Sequence, residues 1–319
     1  MDNGRLLYPD ICKFIAIFVV TWSHCAQRIS GMIWTNFLGG LQLDIAFTMP
    51  LFMLMSGWFI NLVKMRNTSI LKYMLSKFKR LIIPSFTWYF VLLLLSFNLL
   101  DLSIFTYYWY LNALFVCLCV IMVCSKCIKS DLLCCAVTTI AVLLIPYSDY
   151  SHINFMMPFL WAGYWLRKII TMKYVHLVIF ICSIIGISLC LIWNPDYSVY
   201  TSPFNSICLS FEMVQIMIYR FILGFTVSAI IIYVIMKAEN TWIAKISRFG
   251  QYSLVIYTSS LACLGFISRV LDYFSIHTNR YGLVDVLSLF LCIFLIFMAI
   301  KFADFCRKEM IMRQLFLGE

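Results

Sequence analysis

The residues best suited to chemistry lie in the first hydrophobic segment, which carries Asp10, Lys13 and His24. If this segment is helical, the eleven residues from Lys13 to His24 complete three turns, so both side chains lie on one face. Their separation along the axis is then about 16 Å, roughly half the hydrocarbon core of a bilayer. Asp10 precedes Lys13 by three residues and can pair with it. Because ionisable groups are costly inside a bilayer, this stripe predicts a functional path within the protein.

His24 suits proton transfer because the imidazole side chain titrates near neutral pH. An apolar environment disfavours the imidazolium form, so we expect a neutral ring that can act as a general base. The same ring could instead be acylated as a nucleophile, or it could be a core histidine that bonds to a neighbouring helix. Asp10 and Lys13 could orient a substrate. Alternatively, Lys13 could extend to the membrane surface with Asp10 neutralising its charge.

The composition indicates a membrane protein, because 63% of the 319 residues are hydrophobic and only 12% are charged. A soluble domain could not bury this much apolar surface, and the continuous apolar runs exclude a β-barrel. The sequence therefore predicts an all-α, polytopic transmembrane bundle that forms a single integral-membrane domain over residues 1–319. About ten spans are predicted, at residues 11–29, 38–62, 81–100, 107–124, 132–147, 153–168, 174–193, 212–236, 250–271 and 283–304.

The basic residues predict the orientation of these spans. When the loops are assigned alternately to the two sides, 19 of the 24 Lys and Arg lie on the side of the termini. The opposite loops hold only Arg28, Arg269 and Arg280, whereas Lys13 and Arg220 lie within spans. The positive-inside rule then places both termini in the cytoplasm. The net charge of +10 follows from this bias, so no nucleic-acid partner is expected.

Three further features of the spans and loops are candidates for the site. Pro50 interrupts the second span, and Ser56 and Gly57 allow another helix to approach closely. The loop at residues 63–80 is basic and ends in Lys77, Lys79 and Arg80. These residues could anchor the topology or could bind a phosphorylated cytoplasmic cofactor.

Arg220 is a charge within the eighth span, where it could stabilise an oxyanion or pair with Glu212 or Asp44. We expect no metal site, because the Cys124–Cys127 spacing has neither a second ligand pair nor a nearby histidine. The three remaining histidines are expected at the protein surface: His152, His176 and His277.

Several segments together resemble the membrane-bound acyltransferase family 3, whose stand-alone members acylate bacterial surface glycans. The opening motif of that family, a basic residue followed after ten residues by histidine, matches Lys13 and His24. Three further segments are similar to family motifs: MPLFMLMSG at residues 49–57, KFKRLIIP at 77–84 and YWYLNALF at 108–115. Weaker similarities occur at residues 159–166, 219–224 and 249–257.

The resemblance implies an O-acyltransferase of the bacterial inner membrane that uses cytoplasmic acyl-coenzyme A, by default acetyl-CoA, as a donor substrate and holds no permanent cofactor. The acceptor would be a hydroxyl group of a surface polysaccharide, lipopolysaccharide or exopolysaccharide. His24 would be the general base, assisted by Lys13 and Asp10. The phosphates of coenzyme A would bind to Arg80, Lys77 and Lys79, and the substrate or acyl tunnel would involve Trp109, Ser56 and Arg220, although Trp109 could simply pack.

A transporter or flippase for a lipid-linked sugar is the main alternative, since it too would need intramembrane charges and broken helices. The sequence shows no inverted repeat, and the ionisable stripe is confined mostly to the first span. The acyl group, the particular glycan and the oligomeric state are not predicted.

Overall fold

The computed structural model describes residues 6–31, 44–96, 108–145, 152–170, 172–193, 211–238, 245–278 and 280–319. All the regular secondary structure within these ranges is helical, as predicted. The α-helices are α1 (Tyr8–Ser30), α2 (Asp44–Trp58), α3 (Leu62–Asn67), α4 (Ile70–Lys77), α5 (Ile83–Ser96), α6 (Trp109–Cys127), α7 (Asp131–Leu143), α8 (Ile153–Ile169), α9 (Val175–Leu191), α10 (Phe211–Lys237), α11 (Ser247–Gly250), α12 (Ser253–Tyr273), α13 (Tyr281–Cys306) and α14 (Met310–Met312). A π-helical turn, Phe78–Ile82, joins α4 to α5, and a second, Arg313–Leu317, follows α14.

Five of the described segments are long and apolar enough to cross a bilayer. They are Ile70–Leu95, Trp109–Cys127, Val214–Lys237, Ser253–Tyr273 and Gly282–Cys306. Shorter apolar helices occur at Ala46–Trp58, Asp131–Leu143 and Val175–Leu191. The chain is therefore a helical, multi-pass membrane protein, whereas the ten spans and the cytoplasmic termini stay predictions.

Helix α1 lies inside the bundle, where it packs against α2, α10, α11, α12 and α13. Small side chains allow this close packing, because Cys12, Ala16, Cys25 and Ala26 are fully buried. Helix α1 can therefore carry polar groups into the interior without presenting them to lipid.

Side-chain contacts show the direction of the neighbouring helices relative to α1. Helices α11 and α12 run parallel to it, since Phe14 packs on Phe249 near its start and Arg28 donates to Ser268 near its end. Helix α13 is antiparallel, since the indole of Trp22 donates to Ser288 Oγ at 2.9 Å and Cys292, one turn later on α13, donates to the carbonyl oxygen of Phe18, one turn earlier on α1. The two ends of α1, the Asp10 end and the His24 end, therefore meet different parts of these helices.

A cluster of ion pairs and hydrogen bonds around Asp131, the first residue of α7, connects helices at the Asp10 end of the bundle. Its carboxylate lies 2.9 Å from Arg66 Nη2 and 3.1 Å from Lys168 Nζ, and it accepts a hydrogen bond from the Tyr164 hydroxyl. Burial alone would raise the pKa of Asp131. The bonds from Tyr164, Lys168 and Arg66 outweigh that effect and hold the pKa below its usual value. The cluster ties α3, α7 and α8 together.

Candidate active site

The Asp10–Lys13 pair forms as predicted. Lys13 Nζ lies 3.7 Å from Asp10 Oδ1 and 4.4 Å from the centroid of the Phe59 ring. Asp10 is buried, whereas the Lys13 side chain is 23% exposed. Contacts with both a carboxylate and an aromatic ring fix the position of the Lys13 ammonium, near the start of α1 and the end of α2.

His24 is half-buried near the other end of α1, and its ring is oriented by Gln27. The Nδ1 atom lies 3.1 Å from Gln27 Oε1. Because an amide oxygen only accepts hydrogen bonds, this contact requires a proton on Nδ1. In the neutral ring the lone pair then lies on Nε2, which has no hydrogen-bond partner among the described residues. The ring is thus arranged to accept a proton at Nε2.

Thr21 adds a second polar group one turn before His24. Its hydroxyl oxygen is buried and has no hydrogen-bond partner within the part of the chain that the structure describes. Residues three apart lie on the same helix face, so this hydroxyl shares the stripe of His24. Sequence reasoning missed Gln27 and Thr21, although their spacing of three residues on either side of His24 was a usable signal.

A tyrosine cluster lies between α2, α6 and α12. The predicted residue Ser56 bonds to the hydroxyl of Tyr110 at 3.3 Å, and the Tyr110 ring lies 5.9 Å from that of Tyr257. Along the helices parallel to α1, Tyr257 lies between Phe249, which contacts Phe14, and Ser268, which contacts Arg28. Its position along the axis of the bundle is therefore between those of Lys13 and His24. Sequence reasoning had marked these segments as motifs but had not selected the tyrosines.

Trp109 packs on two of its neighbours. Its ring lies 6.1 Å from Tyr110 and 4.7 Å from His152, edge-on in both contacts. The expectation that His152 is a surface residue is wrong, because the packing against Trp109 leaves only 8% of it exposed. The structure thus connects Trp109 to the tyrosine cluster through Tyr110.

Lys79 and Arg80 are exposed on the π-helical turn, with no hydrogen bond or ion pair to any described residue. Lys77 lies just before them and is half-buried, with its ammonium 5.4 Å from the centroid of the Tyr73 ring. Three neighbouring cations are therefore presented at the Asp10 end of the bundle, and none of them has an acidic partner within the described chain. Such a group can bind a phosphate.

Arg220 is buried in α10, and its guanidinium carbon lies 4.8 Å from the centroid of the Trp193 ring. Glu212 is exposed and forms no ion pair among the described side chains, and the side chain of Asp44 lies outside the described residues. The structure therefore shows the guanidinium of Arg220 in contact with an aromatic ring.

Within the described ranges, no three His, Cys, Asp or Glu side chains lie close enough together to bind a metal ion. The chemistry available at the site is therefore that of the His24 ring, the Asp10–Lys13 pair, the exposed cations of the π-helical turn and the hydroxyl groups between them.

Comparisons with known proteins agree with the sequence motifs. A family model described as an acyltransferase domain, that of acyltransferase family 3, matches residues 6–303. Neither a curated protein nor a solved structure matches the chain. The matched range includes α1 with its ionisable stripe, the π-helical turn with Arg80 and the tyrosine cluster. The chain therefore belongs to acyltransferase family 3 and is a membrane acyltransferase.

Proposed function

We propose that this protein transfers an acyl group, by default acetyl, from cytoplasmic acyl-coenzyme A to a hydroxyl group of a carbohydrate acceptor. The acceptor is a surface polysaccharide, lipopolysaccharide or exopolysaccharide of a bacterium, and the enzyme lies in the inner membrane with ten spans. The observation that carries the proposal is the contact between His24 and Gln27, which leaves Nε2 with the lone pair that a general base needs.

The proposed reaction is a direct transfer. His24 Nε2 removes the proton of the acceptor hydroxyl as its oxygen attacks the thioester carbonyl, so that a C–O bond forms and the C–S bond breaks. The coenzyme A thiolate leaves and takes the proton back from the imidazolium. General-base assistance of this kind contributes about 10² to 10⁴-fold to a rate.

The donor enters from the Asp10 end of the bundle in this proposal. Arg80, Lys79 and Lys77 bind its phosphates, and the Asp10–Lys13 pair orients the arm that carries the thioester. The hydroxyl groups of Ser56 and Tyr110 line the route toward His24, because they belong to the cluster whose level lies between Lys13 and His24.

Acyl transfer in isolated membranes tests the proposal. Radiolabelled acetyl-CoA is supplied with a panel of glycans, and the wild type is compared with His24→Ala, His24→Gln and a control, His176→Ala. His176 is an exposed histidine that bonds to Tyr233, so its removal tests for a general effect of losing an imidazole. We expect both His24 variants to lose about 10² to 10⁴-fold in activity, with the control unchanged.

Two results would reject this assignment. Full activity of His24→Ala at a normal expression level would remove His24 from the reaction. Accumulation of an unexported lipid-linked sugar in cells lacking the protein, with the glycan esters intact, would favour the flippase alternative.

A further inference from the structure

The last ten residues, 310–319, lie beyond the family match and fold back onto the bundle. The π-helical turn Arg313–Leu317, which follows α14, packs against α5 and α13. The ring of Phe316 lies 5.3 Å from Trp88 and 5.2 Å from Phe302, edge-on to both, and Leu317 is buried. Buried aromatic contacts of this kind hold the segment against α5.

Gly318 brings this segment into direct contact with the turn that carries Arg80. Its φ of +67° lies in the left-handed region, and a Cβ atom placed on it would lie 2.5 Å from the carbonyl oxygen of Arg80. Only glycine fits both the conformation and the space. The backbone of Gly318 therefore rests on the π-helical turn Phe78–Ile82, an irregular element of a kind that is frequent at functional sites.

Glu319 anchors the end of the segment to the helices beside α1. Its carboxylate lies 3.3 Å from Arg307 Nη2, and Arg307 also contacts Asp304 at 3.6 Å and stacks on Tyr252. Tyr252 lies in the turn between α11 and α12, and α11 packs on the Asp10 end of α1. The segment thus connects the Arg80 turn to the end of the bundle that holds Asp10.

We propose that residues 316–319 are a clamp that positions Arg80 for the phosphate groups of the donor. The clamp acts through the backbone, because Gly318 contacts the main chain of Arg80 while the Arg80 side chain remains exposed. Phe316 and Gly318 are positioning residues, and Arg80 touches the donor. This inference rests on the proposed function, since it requires a phosphorylated donor at Arg80.

Donor kinetics in membranes test the clamp through Gly318→Ala and Phe316→Ala. Each variant should raise the KM for acetyl-CoA by about tenfold, the effect of losing one charge-assisted hydrogen bond, with kcat little changed. Gly282→Ala is the matched control, because a Cβ atom there meets nothing within 4 Å. In an Arg80→Ala background, Gly318→Ala should raise KM no further. A full additional increase in that background, or an unchanged KM in both single variants, would overturn the clamp.

Hydrogen exchange in detergent gives a readout that does not depend on the donor. If the segment holds the π-helical turn, the amides of residues 78–83 should exchange faster in Gly318→Ala and Phe316→Ala than in the wild type or in Gly282→Ala. Unchanged exchange would reject the clamp even if acetyl-CoA is the donor. Faster exchange in a protein that does not use acetyl-CoA would keep the contact and reject the proposed donor.

Discussion

At the scale of the residue, the site depends on how one amide orients one imidazole. The helix places Gln27 three residues after His24, and the bond to Nδ1 directs the lone pair of Nε2 away from Gln27. Nothing in this arrangement requires a carboxylate partner for the histidine. In the proposed reaction, Gln27 is therefore a positioning residue that determines the tautomer of His24.

Replacement of Gln27 tests this role. Gln27→Leu removes the acceptor of the Nδ1 proton, and we expect kcat to fall about five- to tenfold, since a neutral hydrogen bond contributes about 1 kcal/mol. Gln27→Glu keeps an acceptor but adds a negative charge that favours the imidazolium form. The acid limb of its pH–rate profile should therefore move to higher pH. An unchanged profile for Gln27→Glu, with wild-type kcat for Gln27→Leu, would contradict the role.

At the scale of the element, α2 and α8 approach each other through two glycines. A Cβ atom on Gly57 would lie 1.8 Å from the carbonyl oxygen of Leu160, and one on Gly163 would lie 1.9 Å from that of Leu54. The prediction that Gly57 permits close helix packing is confirmed. Because these contacts are between backbones, no side-chain rotation can relieve an added methyl group, and they determine where α2 places Ser56.

Gly163→Ala should destabilise the protein for this reason. An overpacked helix contact costs about 1–3 kcal/mol, so we expect a lower unfolding temperature in detergent and reduced acyl transfer. Gly282→Ala, on α13, serves again as the control and should unfold like the wild type. A Gly163→Ala variant with an unchanged unfolding temperature would show that α2 and α8 are not in backbone contact.

The Asp131 cluster predicts a specific dependence of stability on pH. The pKa of Asp131 is held below its usual value in the folded protein, so the unfolded chain binds this proton more readily. The stabilisation is present above the unfolded pKa of about 4 and is lost as the pH falls through the lower, folded pKa. The difference in unfolding temperature between the wild type and Asp131→Asn should therefore be constant from pH 7 to about 5 and should shrink below about pH 4. A difference that stays constant down to pH 3 would show that the ion pairs do not stabilise the fold.

At the scale of the whole molecule, the two ends of α1 belong to chemically different ends of the bundle. The Asp10 end carries the cations of the π-helical turn, the Asp131 cluster and the Arg307–Glu319 contact, whereas the His24 end carries the last turn of α12 and the start of α13. A donor that binds at one end and an acceptor that binds at the other would meet along α1.

Cysteine labelling tests which side each end faces. In a background without reactive native cysteines, we expect Ile276→Cys to react with an impermeant maleimide in intact cells, because this exposed residue lies just after α12. Lys72→Cys should react only after lysis, because Lys72 is an exposed residue of α4 within the basic segment 63–80 that is predicted to be cytoplasmic. The reverse pattern would invert the topology and place the proposed donor residues outside the cytoplasm.

The sequence by itself determined the class of the protein and the stripe on α1. Both depend on local properties, since hydropathy reports the membrane environment and the helical period places Asp10, Lys13 and His24 relative to one another. The same logic predicted the Asp10–Lys13 ion pair, which the structure confirms.

Only the tertiary structure decided which helices are in contact and which residues of each helix lie side by side. The pairing of Ser56 with Tyr110, the packing of His152 on Trp109 and the contact of Gly318 with Arg80 join residues that are far apart in the chain. Hydropathy cannot reveal such pairs, because in a membrane bundle both the lipid-facing and the protein-facing surfaces of a helix are apolar. The register between helices is instead set by the steric fit of small residues and backbones, which exists only once the helices have packed.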